Sequence, residues 1–149
     1  MECLFCKIAQ GAIPAKKVYE DKDTIAFLDI NPANPGHTLI VPKKHAENIM
    51  DADDKSLESA ITVVKKIARL VTEKTGAEGV NVLQNNGKRA GQIVNHVHFH
   101  VIPRFENDSM IISYPRMHAN EAELDEVVLR LTKGKNSVDE AIMREMGGI

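Results

Sequence analysis

The stretch HVHFHVIP, residues 96–103, carries half of the six histidines of the chain at alternate positions: His96, His98 and His100. Successive side chains of a β-strand point to opposite faces, so the pattern predicts one strand with all three imidazoles on one face and the apolar residues on the other. At a rise of about 3.3 Å per residue, neighbouring imidazoles are expected roughly 7 Å apart, too far for direct contact. The three side chains are therefore expected to have different roles.

A polar loop with two glycines, residues 85–92 (NNGKRAGQ), leads into this stretch and follows a short apolar strand expected at residues 80–84. The spacing of the histidines alone leaves a metal-binding face, a structural role and a catalytic role open, because imidazole is both a common metal ligand and a nucleophile at neutral pH. Backbone and amide N–H groups of such a loop can face phosphate oxygens. The loop therefore favours catalysis on a phosphate.

The rest of the chain predicts an α+β fold with an antiparallel sheet. Short strands are expected at residues 18–19, 24–28 and 37–41, with the breaker run NPANPG between the last two. Apolar residues recur at helical spacing from Asp54 to about Thr75 and, more briefly, over residues 121–131. Residues 1–133 are expected to form the domain, and residues 134–149 a tail with at best a weakly docked helix.

Length and charge narrow the class of protein. A chain of 149 residues fits one domain, and 19 basic against 21 acidic residues give a net charge of −2, which disfavours nucleic acid and anionic membranes as partners. The start of the chain does not resemble a signal peptide, and no apolar run is long enough to span a membrane, so we expect a cytoplasmic protein. In a reducing compartment, two cysteines indicate a metal or a redox pair rather than a disulfide.

The histidine run resembles the signature of the histidine triad (HIT) family, His-φ-His-φ-His-φ-φ with φ apolar. Further segments resemble the family in the same order: CLFCKI at 3–8, VYED at 18–21, AFLDI at 26–30, GHTLIVPKKH at 36–45, NNG at 85–87 and AGQ at 90–92. The resemblance covers roughly the first 105 residues and is greatest to the Hint-like branch of small bacterial and archaeal members, although the Fhit-like branch shares much of it. It implies a five-stranded antiparallel sheet, one long helix and one or two short ones.

The resemblance also implies a reaction. In the family the middle histidine, here His98, attacks the α-phosphorus of a nucleotide conjugate and forms a nucleotidyl-histidine that water hydrolyses. The matching contacts to phosphate and leaving group are His100 and His37. The implied function is hydrolysis of purine nucleoside phosphoramidates or adenylated conjugates with release of AMP. Hydrolysis of dinucleoside polyphosphates is an alternative, as is a zinc-stabilised nucleotide-binding or interaction module with incidental hydrolysis.

Further positions match substrate contacts of the family. Asp29 corresponds to the acidic residue that binds the ribose hydroxyls, and Ile30 would border the base. Contacts to phosphate and leaving group correspond to Asn85, Gly91, Gln92 and Ile93. Ile93 stands where many relatives carry Ser or Thr, and its side chain offers no hydroxyl.

Cys3 and Cys6 form a Cys-x-x-Cys pair, for which a free buried thiol pair is the simplest alternative to a metal site. The resemblance implies that His45 and His96 complete a structural Cys₂His₂ zinc site with them. It also implies a homodimer.

Overall fold

The computed structural model describes residues 2–132 and 144–145. The chain divides into two compact units, residues 1–110 and residues 111–149. Every residue that the sequence assigns to a site lies in the first unit.

A five-stranded sheet forms the frame of the first unit. Its strands are β1 (Lys17–Glu20), β2 (Thr24–Leu28), β3 (Thr38–Pro42), β4 (Gly79–Gln84) and β5 (Phe99–Arg104), in the order β1-β2-β3-β5-β4. All neighbouring strands pair antiparallel, which confirms the predicted α+β class with an antiparallel five-stranded sheet. β3 is shifted by one residue from its expected bounds.

Helix α2 (Asp54–Thr75) covers one face of this sheet and has the bounds expected from sequence. The Asp53 side chain accepts from the N–H of Ser56 at its start, and Gly76 ends it with φ +71°, a conformation that favours glycine. Its apolar stripe, Ala60, Val63, Val64, Ile67 and Val71, forms one core with Ala26, Ile40, Phe99 and Val101 of the sheet.

Helix α1 (Leu4–Ala9) packs against the opposite face of the sheet. Its Phe5 packs with Ile25, Phe27, Leu39 and Val41, which alternate along β2 and β3 with the residues facing α2. Both central strands are thus covered on both sides, and the first four residues of β2 and all of β3 are buried.

The expected histidine strand begins later than its alternation predicts. β5 starts at Phe99, so only His100 of the three histidines lies in a strand. The Val97 N–H donates to Ala46 O at 2.8 Å, and the His96 carbonyl bonds to the His98 ring, so this backbone is bonded outside the sheet. The spacing of roughly 7 Å was also wrong, because the side chains lean together: the ring centroids of His98 and His100 are 5.0 Å apart.

The second unit contains helix α3 (Glu121–Thr132), close to the expected 121–131. Asn120 and Glu123 form a reciprocal cap at its start, each side chain accepting from the other's backbone N–H. The described residues of this unit are exposed. Of the expected tail, residues 134–143 and 146–149 lie outside the described residues. Within the described parts of the chain, no helix is long and apolar enough to cross a membrane.

Candidate active site

A cavity of about 390 Å³ opens on the α1 side of the sheet. α1 forms one wall with Leu4, Phe5 and Ile8, and the rest is largely apolar. Five residues assigned from sequence line it together: Asp29, Ile30, Ile93, His98 and His100. The structure therefore brings the expected ribose, base and reaction contacts into a single cavity.

His98 is held in one tautomer. Its Nδ1 lies 2.7 Å from the carbonyl oxygen of His96, and because a carbonyl only accepts, Nδ1 carries the proton and donates it. Nε2 is left with its lone pair. The ring is buried, with the edge of Phe5 at 5.0 Å between centroids, and burial lowers the pKa of His98 below its ordinary value. The imidazole is therefore neutral at pH 7, with Nε2 available as a nucleophile.

A chain of hydrogen bonds also fixes the protons on His37 and His100. The Ala33 N–H donates to His37 Nδ1 at 3.0 Å, so the proton of a neutral His37 lies on Nε2. That Nε2–H faces His100 Nδ1 at 2.9 Å and donates to it. His100 Nδ1 is thus the acceptor, which places its own proton on Nε2. No sequence pattern indicated that a backbone N–H at Ala33 would set this order.

Burial keeps this pair neutral. Burial, with a smaller contribution from the neighbouring His98 and His37, lowers the pKa of His100 to about 4. Burial also lowers the pKa of His37, although the nearby Asp29 carboxylate opposes the effect. In the free protein at pH 7 the site therefore presents a lone pair on His98 Nε2 and an N–H donor on His100 Nε2, on rings 5.0 Å apart. This combination suits attack on an electrophile whose oxygens gain negative charge.

Asp29 follows the last residue of β2 and contributes a carboxylate to the cavity. Its Oδ1 accepts from the Asn31 N–H at 2.8 Å, and its Oδ2 lies 3.6 Å from His37 Nε2. A carboxylate has about four acceptor sites, so capacity remains for donors of a bound molecule.

The loop before β5 has a firm internal structure. The Gln92 side chain accepts from the Gly87 N–H and donates to the carbonyls of Glu47 and Val94, so it holds the loop in shape. Gly91 has φ +92° after the 3₁₀ turn Lys88–Ala90, a conformation that favours glycine. Asn85, Gly91 and Gln92 are not among the residues that line the cavity, and their contact with phosphate stays a prediction.

Two isoleucine side chains at the cavity are almost fully exposed to solvent. Ile30 is 90% exposed and Ile93 is 93% exposed. Both line the cavity, so a bound molecule would meet an apolar surface on entering.

Cys3, Cys6, His45 and His96 form a cluster that could hold a metal ion, with ligand atoms all within 4.8 Å of one another. A tetrahedral zinc with ordinary bond lengths separates a sulfur from a nitrogen ligand by about 3.5 Å. The structure has 3.3 Å from His96 Nδ1 to Cys3 Sγ and 3.5 Å from the same nitrogen to Cys6 Sγ.

His96 has the tautomer that a metal ligand needs. Its Nε2 donates to the Pro42 carbonyl at 2.7 Å, which leaves the Nδ1 lone pair facing the cluster. His45 Nδ1 lies 3.4 Å from Cys6 Sγ and 3.1 Å from His96 Nδ1. The donor set and its spacing therefore fit a closed Cys₂His₂ metal site.

Asp29, His37 and His100 form a second cluster of potential ligands. The hydrogen bond from Ala33 makes it a poor metal site, because His37 Nε2 carries the proton that a metal would have to displace. The ring protons thus leave a lone pair for a metal in the Cys₂His₂ cluster and an N–H in the second cluster.

Comparison with known proteins identifies the class. The family model of the HIT domain matches residues 10–107, and the chain belongs to the histidine triad family. An uncharacterised HIT-like protein of Methanocaldococcus jannaschii is 52% identical over 126 residues, covering 85% of this chain and 95% of its own. The adenosine 5′-monophosphoramidase of Saccharomyces cerevisiae is 44% identical over 126 residues, covering 84% of this chain and 75% of its own.

Solved structures agree with the fold. A histidine triad nucleotide-binding protein from Candida albicans superposes with a TM-score of 0.83 at 36% identity, covering 93% of this chain and 100% of that one. A zinc-bound histidine triad protein from Mycobacterium smegmatis superposes with a TM-score of 0.70 at 36% identity, covering 85% of this chain and 98% of that one.

Proposed function

We propose that this protein is a nucleotide-binding hydrolase that cleaves purine nucleoside phosphoramidates or related adenylated conjugates and releases AMP. The observation that carries the proposal is the pair of fixed tautomers, a lone pair on His98 Nε2 beside an N–H on His100 Nε2. The named activity of the yeast relative, an adenosine 5′-monophosphoramidase, supports the same reaction class.

The reaction proceeds in two halves. His98 Nε2 forms a bond to the α-phosphorus, the bond from phosphorus to the leaving nitrogen breaks, and the leaving amine takes up a proton from solvent. Water then attacks the nucleotidyl-histidine, gives up a proton, restores the imidazole and releases AMP. The proton released in the second half balances the one taken up in the first.

The neighbouring histidines stabilise the charge that develops. The N–H on His100 Nε2 donates to the leaving nitrogen as its bond to phosphorus breaks, and His37 holds that N–H in place. The carbonyl of His96 keeps the proton of His98 on Nδ1, where it also stabilises the positive charge of the phosphorylated ring.

The test compares AMP release from adenosine 5′-phosphoramidate by the wild type, His98→Ala and, as a matched control, His118→Ala, which changes an exposed histidine. We expect the wild type and the control to release AMP alike and His98→Ala to lose about a thousandfold or more in kcat. Wild type denatured at alkaline pH during turnover should carry an adenylyl group, because the phosphorus–nitrogen bond of the intermediate hydrolyses in acid. AMP release by His98→Ala within tenfold of wild type would contradict the proposal.

The same assay separates the alternatives. Cleavage of a dinucleoside polyphosphate in preference to the phosphoramidate would indicate a dinucleoside polyphosphate hydrolase instead. Binding of AMP without cleavage of either compound would leave a nucleotide-binding module.

We propose zinc for the Cys₂His₂ cluster, where it would join α1 to the histidine segment before β5. The fit of the donor set and the zinc-bound relative support this assignment. Purified protein should contain about one zinc per chain, and Cys6→Ser should lose most of it while Asp125→Asn, which changes an exposed carboxylate on α3, keeps it. Equal zinc content in both variants would contradict the assignment.

We also propose a cytoplasmic homodimer. β4 is an edge strand whose Val80 and Val82 are 36% and 44% exposed, an apolar edge that a second copy could cover. Sedimentation equilibrium at micromolar concentration should give twice the chain mass, and the mass of a single chain would contradict the proposal. A cytoplasmic location agrees with a cluster that needs reduced thiols.

A further inference from the structure

The loop that carries Ala33 is tied down by a neighbouring side chain, Asn34. This side chain is buried, 8% exposed, and its amide nitrogen lies 2.9 Å from Pro103 O and 2.9 Å from Asp108 Oδ2. Each of its two protons therefore has an acceptor on the segment at and after the end of β5. Nothing in this arrangement touches the cavity directly.

The acceptor at Asp108 is itself rigid. Arg104 donates from Nε and from one terminal nitrogen, each at 2.8 Å, and the Phe105 N–H adds a third bond. The Arg104 hydrogen bond holds the pKa of Asp108 well below its usual range, so the carboxylate remains an acceptor at all moderate pH values. The anchor of Asn34 is thus a fixed charge in a bidentate pair.

The backbone of the same loop forms two hydrogen bonds with His37, so the anchoring of Asn34 also fixes the position of His37. The carbonyl of Asn34 accepts from the His37 N–H at 3.0 Å, and the Ala33 N–H points at His37 Nδ1. Gly36 approaches Pro103 so closely that a Cβ there would lie 3.2 Å from its ring, at a φ of +97°. The loop therefore has little room to shift while Asn34 is bonded.

We propose that Asn34 is a positioning residue for the reaction: by anchoring the loop to Asp108 and Pro103 it keeps the Ala33 N–H on His37 Nδ1, and so keeps the proton of His100 on Nε2. The kinetic part of this inference rests on the proposed function, whereas the assignment of the protons does not.

Loss of the hydrogen bonds of Asn34 changes which ring nitrogens of His37 and His100 carry protons. Asn34→Ala removes both donors and leaves Pro103 O without its partner, so the loop relaxes and the Ala33 N–H leaves His37. His37 can then hold its proton on Nδ1 and present a lone pair on Nε2. His100 responds by placing its proton on Nδ1, and its Nε2 meets the substrate with a lone pair instead of a donor.

The first experiment reads these protons directly. Two-bond ¹H–¹⁵N correlation spectra at pH 7 distinguish Nδ1–H from Nε2–H imidazoles. In the wild type we expect Nε2–H for His37 and His100 and Nδ1–H for His98. Asn34→Ala should show a mixture or reversal at His37 and His100, with His98 unchanged. An unchanged pattern at all three rings in the folded variant overturns the proposal.

The chain offers a matched control in Asn81, whose side chain accepts from the same Arg104 at 2.8 Å on β4, away from the loop. Asn81→Ala should keep the wild-type pattern. Asn34→Ser retains one donor and should lie between wild type and Asn34→Ala, which keeps the test available if Asn34→Ala fails to fold. Reversal in Asn81→Ala as well would mean that any weakening near Arg104 has the same effect, and overturns the specific role.

The second experiment reads the consequence for chemistry. With adenosine 5′-phosphoramidate, Asn34→Ala should lose about ten- to a hundredfold in kcat, less than the roughly hundred- to thousandfold that complete loss of one preorganised donor costs, because part of the population keeps the donor. With the p-nitrophenyl ester of AMP, whose phenolate leaves without help, the loss should be about twofold. Equal losses on both substrates indicate general damage and overturn the positioning role. If wild type cleaves neither substrate, the proposed function fails, and the spectra still decide the role of Asn34.

Discussion

Replacing the Asp29 carboxylate by an amide of the same shape tests the proposed nucleoside contact atom by atom. One carboxylate oxygen already accepts from the Asn31 N–H at 2.8 Å, and the side chain is 20% exposed at the cavity. Asp29→Asn can keep that bond through its own oxygen. It replaces the other oxygen by a donor, so an acceptor for ribose hydroxyls is lost.

The size of the effect follows from the number of bonds removed. A hydrogen bond to a charged group contributes about 1.5–3 kcal/mol, and one bond from the 2′-hydroxyl to the carboxylate is therefore worth about 2 kcal/mol, or roughly thirtyfold in kcat/KM. The 2′-deoxy substrate lacks this hydroxyl. The wild type should prefer the ribonucleotide by about thirtyfold, and Asp29→Asn by about threefold or less.

The assay is a double-mutant cycle on AMP and 2′-deoxy-AMP release from the two phosphoramidates, with Asp51→Asn as the control. Asp51 is exposed and does not line the cavity, so its variant should keep the full wild-type preference. A preference for the ribonucleotide that survives in Asp29→Asn would refute the contact. A wild type that treats both substrates equally would refute it as well.

Three further changes have expected outcomes. Ile40→Ala, which opens a cavity at a fully buried site under α2, should lower the free energy of unfolding by about 2–5 kcal/mol in denaturant titration, whereas the half-exposed Ile61→Ala should change it by less than about 0.5. Lowering the pH from 7 to 5 should reduce the free energy of unfolding by about 2 kcal/mol through His100. The unfolded side chain takes up a proton near its ordinary pKa, whereas the folded one does so only near a pKa of about 4, so the protein becomes less stable as the pH is lowered. His100→Asn should lack this component, and an equal pH dependence in both proteins would exclude it. Ile93→Ser should raise kcat/KM several-fold for polar relative to apolar amine leaving groups, because it places a hydroxyl at the cavity; an unchanged ratio would mean that this side chain does not meet the leaving group.

Local sequence signals predicted the parts of the fold that local interactions determine. The apolar stripe of α2 and the capping residues on either side of it, Asp53 and Gly76, are neighbours in sequence, so the bounds of α2 follow from the sequence. The sequence did not predict α1, because six residues are too few to show a helical periodicity of apolar positions. It did not predict the start of β5, because the bond from Val97 to Ala46 crosses about fifty residues of chain.

The candidate site shows the same division. Alternating histidines and a Cys-x-x-Cys pair identify which residues carry chemistry, and the structure brings His98, His100 and Asp29 into one cavity. The pattern contains no information about which ring nitrogen holds a proton, because that depends on a backbone N–H at Ala33 and a carbonyl at His96. The pattern also does not indicate that the Gln92 side chain bonds to the Gly87 N–H and to the carbonyls of Glu47 and Val94, and its contact with phosphate stays a prediction.

Helix α1 links two sites within six residues. Cys3, at its N-terminus, and Cys6 belong to the metal cluster, while Leu4, Phe5 and Ile8 form a wall of the cavity. The proposed zinc and a nucleotide in the cavity would therefore contact the same short helix, and binding of one can change the free energy of binding the other. By thermodynamic reciprocity, a nucleotide that tightens zinc binding by some factor must itself be bound more tightly, by the same factor, when zinc is present. If zinc binds as proposed, the occupancy of the metal site would then alter the nucleotide affinity of this protein through α1.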